Sequence, residues 1–437
     1  MTSTSPTSTA LLTDHYELTM LQAALHSGAA RRHCVFEVFT RRLPEGRRYG
    51  VVAGTARLLE AVRDFRFGGA EVERLRGSQV VDSRTLDFLS DYRFTGSIRG
   101  YAEGECFFPG SPLLVVEDTF AESVVLETVV LSILNHDSAI ASAASRMTNA
   151  AGDRPCIEMG SRRTHEWAAV AAARAAYIAG FAATSNLEAG RTYGIPTKGT
   201  SAHSFTLLHD DERAAFVAQV ESLGVGTTLL VDTYDVRAAV RLAVEVAGVE
   251  LGAVRLDSGD LLVQARQVRA QLDSLGANKT RIIVTSDLDE HSIAALAAAP
   301  VDGYGIGTAL VSGSGAPTAG FIYKLVARED DEGRLIAVAK RSKDKASIGG
   351  RKWAVRRLDD DGVAEAEVIG IGNRPAGDSY DRPLLVELMD HGEIVADLSL
   401  DAARSRHDQS RAELPPRALQ LSRGEPAITT FFHDEHG

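Results

Sequence analysis

The chain has 437 residues, 44% hydrophobic and 24% charged, which is the balance of a soluble globular protein long enough for two domains or a barrel with an added layer. A formal net charge of −12 gives a nucleic-acid partner no global support, so an anionic ligand would have to be met by a local basic cluster. Three cysteines, Cys34, Cys106 and Cys156, show no C-x-x-C spacing, which argues against a disulfide framework and for a reducing compartment.

The opening MTSTSPTSTA is polar and reads as unstructured, with neither the apolar core of a secretion signal nor the Arg-rich pattern of an import signal. Residues 11–30 predict a helix capped by Thr13 or Asp14, with Leu18, Leu21 and Leu25 near one face. HCVFEVFTRRLP alternates like a strand through Val35, Glu37 and Phe39 and then turns at PEGRRYG. Short strand runs punctuated by Gly and Pro follow over residues 96–120, so residues 1–120 are read as an N-terminal α+β domain.

From about residue 121 the texture changes to short apolar runs alternating with helical patterns. The runs are CIEMG (156–160), GFAATS (180–185), TKGTSAHS (197–204), TTLLVDT (227–233), GAVRLDS (252–258), RIIVTSD (281–287) and DGYGIGT (302–308). Such alternation implies βα units around a parallel sheet, and seven candidate strands suggest a barrel, complete or not, over residues 121–324. After residue 325 the rhythm stops. KLVARED, GRLIAVAK and KWAVRRL resemble antiparallel strands, so 325–437 is expected to pack back on the first domain. The expected fold class is therefore α/β: an irregular (β/α) barrel with an N-terminal α+β domain completed by C-terminal strands. Charges break every apolar stretch well before the roughly 18 residues of a membrane span, so no membrane partner and a cytoplasmic location are expected.

Polar residues gather where these strands end: Glu158, Ser185, His203, Asp232, Asp257, Asp287 and Gly307. In a barrel that rim carries the active site, although Asp and Ser there also serve to cap the next helix. In VRLDSGDL (254–261), Arg255 and Asp257 share one face of a strand. They form either a buried ion pair or a site in which Arg255 grips a phosphate or diphosphate while Asp257 takes ribose hydroxyls or magnesium. YGIGTAL (304–310) offers Gly305 and Gly307 for close backbone approach to a phosphate, with Ser286 and Asp287 of TSDLDE beside it. EMGSRRTHE (158–166) places Arg162 and Arg163 directly after a strand, as a solvated pair or an anion clamp. Arg41, Arg42, Arg47 and Arg48 in FTRRLPEGRRYG, and the lysines of KRSKDKASIGGRK (340–352), add two basic loops and suggest a highly anionic substrate. His203, in KGTSAHSF, has no His or Cys partner at metal-ligand spacing. No G-x-S-x-G elbow and no P-loop occur. A sugar-phosphate aldolase or isomerase is a rival reading, for which Lys198 is the one candidate base, and a catalytically silent relative is another.

LLTDHYELTM, FEVFTRRLPEGRRYGV, EMGSRRTHE, GTSAHSF, VDTYD, VRLDSGDL, SDLDE and YGIGTALV, in this order over residues 11–352, resemble the nicotinate phosphoribosyltransferase family. The resemblance implies transfer of nicotinate to 5-phosphoribosyl-1-diphosphate, giving nicotinate mononucleotide and diphosphate, with magnesium and with ATP hydrolysis coupled through a phosphohistidine, here His203. It also implies a homodimer with shared active sites, in which Tyr16 stacks on the pyridine ring from the partner subunit. Arg162, helped by Ser204, would clamp the nicotinate carboxylate. Arg255 and Asp257 would hold diphosphate and ribose, while Ser286, Gly305, Gly307 and Thr308 would cradle the 5-phosphate. Nicotinamide-using relatives carry an aspartate where this chain has Ser185, which favours nicotinate here. Met159 stands where many relatives have a phenylalanine. Nicotinamide and quinolinate phosphoribosyltransferases remain the neighbouring alternatives.

Overall fold

The computed structural model describes residues 8–340, 347–377 and 379–433. Most of the N-terminal polar stretch and residues 341–346 of the second basic loop lie outside the described residues. The chain divides into two compact units. One joins the described residues up to Ala139 with those from Thr318 onward, and the other is the continuous segment Ile140–Pro317. Sequence texture put the change at 121, where the helices Phe120–Val124 and Glu127–Ala151 begin. The boundary at Ile140 instead falls inside the second of these helices.

The first unit is built on a seven-stranded sheet in the order Leu335–Ala337, Phe321–Glu329, His33–Thr40, Leu114–Thr119, Ser97–Tyr101, Leu385–Asp390, Glu393–Ile394. All its pairings are antiparallel, so strands from the two ends of the chain share one ladder. His33–Thr40 is covered on both faces, contrary to the alternation read from its sequence. Glu37 is therefore 2% exposed, and it survives there because Lys352 Nζ donates to it at 2.7 Å. The helix His15–Ser27 is capped by Asp14, whose side chain accepts from His15 N, and ends at Gly28 with φ +82°. The stretch after Asp401, weakly patterned in sequence, lies in the helix Leu400–Ala412, which buries Ala403, His407 and Ser410. Arg356, fully buried, ties this region together through Glu105 at 2.9 Å and Glu367 at 2.5 Å.

The second unit carries six parallel strands in the order Ala183–Thr184, Cys156–Glu158, Gly303–Ile306, Arg281–Val284, Ala253–Leu256, Thr228–Leu230. A single parallel bridge from Thr184 to Thr197 adds the start of the expected seventh strand. The rest of TKGTSAHS is not strand. His203 is instead the first residue of the helix His203–Leu208, because the Gly-Thr-Ser segment before it pairs with no neighbour. The result is an incomplete barrel with its strand ends gathered on one rim. Between strands run amphipathic helices such as Val236–Ala247 and Leu261–Ser274, whose buried residues recur three and four apart.

Candidate active site

The aspartates at the rim divide into two kinds. Asp235, Asp260 and Asp289 are helix N-caps, their side chains accepting from Ala238 N, Val263 N and Ser292 N. Asp232, Asp257 and Asp287, two or three residues earlier, cap no helix and accept instead from groups at the rim. Each loop thus opens with an acid at the rim and closes with one that caps the next helix.

A cavity of about 210 Å³ lies at this rim, lined by Met159, Arg162, Arg163, Arg255, Asp257, Thr285, Ser286, Asp287, Gly305, Gly307 and Thr308. It brings together eight of the residues singled out in the sequence: Arg162, Arg255, Asp257, Ser286, Asp287, Gly305, Gly307 and Thr308. Three arginines against two aspartates give it the charge balance of an anion site.

Arg255 donates from Nη1 to Thr200 Oγ1 at 2.7 Å, while its Nε is buried with no hydrogen-bond partner among the described residues. Burial pulls its pKa below the ordinary arginine range and Arg162 adds to that pull, against the opposing charges of Asp257 and Asp232. An anion would relieve both the unpaired donor and the crowded positive charge. The buried ion pair weighed from sequence does not form: none of the ion pairs among the described residues joins Arg255 to Asp257. Asp257 instead accepts from the Thr285 hydroxyl, and its backbone amide donates to Asp232 Oδ2 at 2.8 Å.

Asp232 also accepts from Ser258 Oγ at 2.8 Å, and its Oδ1 is buried without a partner among the described residues. His203 stands beside these acids. Its Nδ1 lies 3.1 Å from Thr233 Oγ1, and its Nε2 lies 3.9 Å from both Asp232 Oδ1 and Asp257 Oδ2, with the side chain 40% exposed. The imidazole is oriented on one edge and open to a reactant.

At Gly305 the need for glycine comes from the neighbouring side chains. A Cβ there would meet Thr285 Cγ2 at 2.5 Å and Met159 Sδ at 2.7 Å. Ser286 holds φ +128°, a region non-glycine residues rarely occupy, and it does so on the cavity wall. Thr308 Oγ1 reaches Asp287 Oδ1 at 3.4 Å.

Ser185 and Ser204 do not line the cavity; both are exposed, Ser204 on the helix His203–Leu208. Tyr16 belongs to the other unit, 44% exposed on the helix His15–Ser27, with its pKa raised by burial and by the nearby Glu127 carboxylate. Among the described residues of the two basic loops, several are committed within the first unit. Arg47 is buried, Arg48 donates to Ser422 and Arg423, Arg41 lies over the Phe39 ring, and Lys352 is held by Glu37. Arg42 stays exposed, and Arg341, Lys343 and Lys345 lie outside the described residues. Sequence reading passed over the roles of Thr200, Thr233 and Thr285, whose hydroxyls hold Arg255, His203 and Asp257. Each stands within four residues of a charged residue already singled out, which is the signal that was there.

No group of three or more His, Cys, Asp or Glu among the described residues could hold a metal by itself. The unpaired Asp232 Oδ1, with Asp257 nearby, does fit a magnesium ion, which is typically held by one or two carboxylates together with substrate oxygens. No described helix is long and apolar enough to cross a membrane.

A family model for the nicotinate phosphoribosyltransferase N-terminal domain matches residues 11–135. The chain is 59% identical over 429 residues to a nicotinate phosphoribosyltransferase, pncB1, of Mycobacterium tuberculosis, covering 96% of this chain and 94% of that one. It is 36% identical to a nicotinate phosphoribosyltransferase of Bacillus subtilis over 361 residues, covering 80% of this chain and 73% of the other. The crystal structure of human nicotinic acid phosphoribosyltransferase superposes with a TM-score of 0.82 at 26% identity, over 97% of this chain and 98% of that one.

Proposed function

The chain belongs to the nicotinate phosphoribosyltransferase family, and from that premise we propose that it joins nicotinate to 5-phosphoribosyl-1-diphosphate in NAD salvage, with ATP hydrolysis coupled through His203. The observation that carries the site assignment is Arg255, a cavity-lining guanidinium with a buried, unpaired Nε, next to carboxylates held by hydroxyls and amides.

In the transfer, the bond from ribose C1 to diphosphate breaks and the pyridine nitrogen bonds to C1. No proton moves, so the protein places the base and stabilises the leaving charge. Arg162 meets the nicotinate carboxylate in the fork geometry that suits a planar anion. Arg255 takes the diphosphate. Asp257, fixed by Thr285, takes ribose hydroxyls, and Ser286, Gly305, Gly307 and Thr308 receive the 5-phosphate. Asp232 and Asp257 would hold magnesium, which when bound would supply countercharge to the diphosphate. His203, oriented by Thr233, accepts the terminal phosphoryl group of ATP as ADP leaves, and water later removes it. In a homodimer, Tyr16 of the partner subunit completes the base site.

The test uses purified protein with labelled nicotinate, nicotinamide or quinolinate, phosphoribosyl diphosphate and magnesium, and γ-labelled ATP in a parallel reaction. Nicotinate mononucleotide is the expected product, with acid-labile label on the wild type that is absent from His203→Ala. Equal use of nicotinamide would overturn the substrate assignment, and an unlabelled wild type would remove the phosphohistidine.

A further inference from the structure

The strand end that carries Arg162 is tied into a closed ring of hydrogen bonds. Glu158, fully buried, accepts from Gly160 N with one carboxylate oxygen and from the Thr184 hydroxyl with the other. Thr184 Oγ1 in turn accepts from Asn186 N at 2.9 Å, and Asn186 Nδ2 donates to Ser161 Oγ at 3.0 Å, next to Gly160. The ring runs from Glu158 through Gly160 and Ser161 to Asn186 and Thr184 and back to Glu158. Ser185 N crosses it to donate to Glu158 O at 2.8 Å.

Within this ring sits the turn Gly160–Arg163, closed by Arg163 N donating to Gly160 O at 2.8 Å, with Arg162 at its third position. The turn has little freedom on its other side, since a Cβ on Gly160 would stand 2.2 Å from Val311 Cγ1. A buried carboxylate without a cation is costly, and none of the ion pairs among the described residues involves Glu158. Two donors compensate it, Gly160 N from the loop after its own strand and the Thr184 hydroxyl from the end of the neighbouring strand. Neither of its oxygens is left for a ligand. Its work is to hold the loop after Cys156–Glu158 against the loop after Ala183–Thr184.

We propose that Glu158 is a positioning residue for Arg162: through the ring it fixes the turn from which Arg162 meets the carboxylate of the pyridine substrate. The proposal rests on the reading of Arg162 as that clamp. Glutamine keeps the size of Glu158 but only one acceptor, so either Gly160 N–H loses its partner or the Thr184 hydroxyl must give up its donation and accept from the amide.

The experiment measures initial rates for Glu158→Gln, Arg162→Ala and the double variant, varying nicotinate and phosphoribosyl diphosphate separately. Glu158→Gln is expected to raise the nicotinate KM roughly tenfold, the effect of one weakened charged hydrogen bond, and to leave the phosphoribosyl diphosphate KM within about twofold. In the Arg162→Ala background it should add nothing to the nicotinate KM, because the residue it positions is gone. Ser161→Ala opens the same ring at a partly exposed hydroxyl and should shift the nicotinate KM in the same direction, which keeps the test available if Glu158→Gln does not fold. An unchanged nicotinate KM, an equal rise for both substrates, or an undiminished rise in the Arg162→Ala background each overturns the proposal. If Arg162→Ala itself leaves the nicotinate KM unchanged, the clamp reading falls and the proposal with it; if Arg162→Ala raises it and Glu158→Gln does not, the proposal alone falls.

Discussion

Asp232 receives the backbone amide of Asp257 at 2.8 Å on one carboxylate oxygen and keeps the other buried and unpaired among the described residues. An unpaired buried oxygen costs stability, so its presence at the rim points to a partner that arrives with substrate.

Asp232→Asn should therefore leave the unfolding midpoint unchanged or higher, since it removes a buried charge and keeps the acceptor for Asp257 N and Ser258, while kcat/KM falls by roughly a hundredfold or more, as for loss of one charged catalytic contact. Asp235→Ala is the control from the same loop. It removes a helix cap, so about 1 kcal/mol of stability should go with activity within about twofold. Paired denaturation and rate measurements separate the two acids, and a silent Asp232→Asn would remove it from the site.

Arg255→Lys keeps the charge and loses the planar fork. The bond to Thr200 and the unpaired Nε both belong to the guanidinium, so a point charge cannot reproduce them. The phosphoribosyl diphosphate KM should rise roughly 10- to 100-fold, the equivalent of about 1.5–3 kcal/mol for a hydrogen bond to a charged group. Steady-state kinetics with nicotinate saturating reads it.

Ser185→Asp is expected to be milder than its sequence position suggests. Ser185 is exposed and outside the cavity lining, so a new carboxylate there is screened by water. Nicotinate kcat/KM should drop only several-fold, with nicotinamide use unchanged or slightly raised. A drop beyond about a hundredfold would mean that Ser185 lies against the bound base.

His407 supplies a pH dependence of stability. It is fully buried, with Nδ1 at 3.3 Å from Gly104 O, and burial pushes its pKa down to about 4. Because the folded pKa lies below the unfolded one, the unfolded chain takes up the proton first. Stability from the neutral ring is complete above pH ~6.5 and is lost as pH falls toward 4, up to about 3 kcal/mol. Urea midpoints of wild type and His407→Gln across pH 7.5 to 4.5 should show the wild type falling more steeply. Parallel curves would contradict this.

Much of the site was legible because βα units place their charged residues at predictable strand ends. Arg162, Arg255, Asp257, Ser286, Asp287 and the glycines of YGIGT all reach one cavity. What sequence could not resolve was which acid in a loop caps and which serves, since D-T-Y-D and D-S-G-D contain both kinds and only backbone geometry separates them. The strand expected at 197–204 is reduced to one bridge at Thr197, and its last residues enter the helix His203–Leu208. Glu37 misled for a different reason: alternation assumes water on one face, and here the strand is covered on both. In the first basic loop, a run of arginines does not reveal that the partner of one of them lies in the tail, as Ser422 does for Arg48.

The pairing of Phe36 with Leu325 has a consequence for synthesis. A chain emerging from the ribosome exposes the strand His33–Thr40 long before its neighbour Phe321–Glu329 has been made, and the whole segment Ile140–Pro317 is translated in between. Within the parallel unit, the strands Thr228–Leu230, Ala253–Leu256, Arg281–Val284 and Gly303–Ile306 pair in order of synthesis, although Cys156–Glu158 must wait for Gly303–Ile306. The antiparallel sheet, with its high contact order, must wait with an open apolar edge. Premature termination near residue 318 thus threatens the first-made half of the protein more than the middle, and aggregation of nascent chains should begin at that waiting edge.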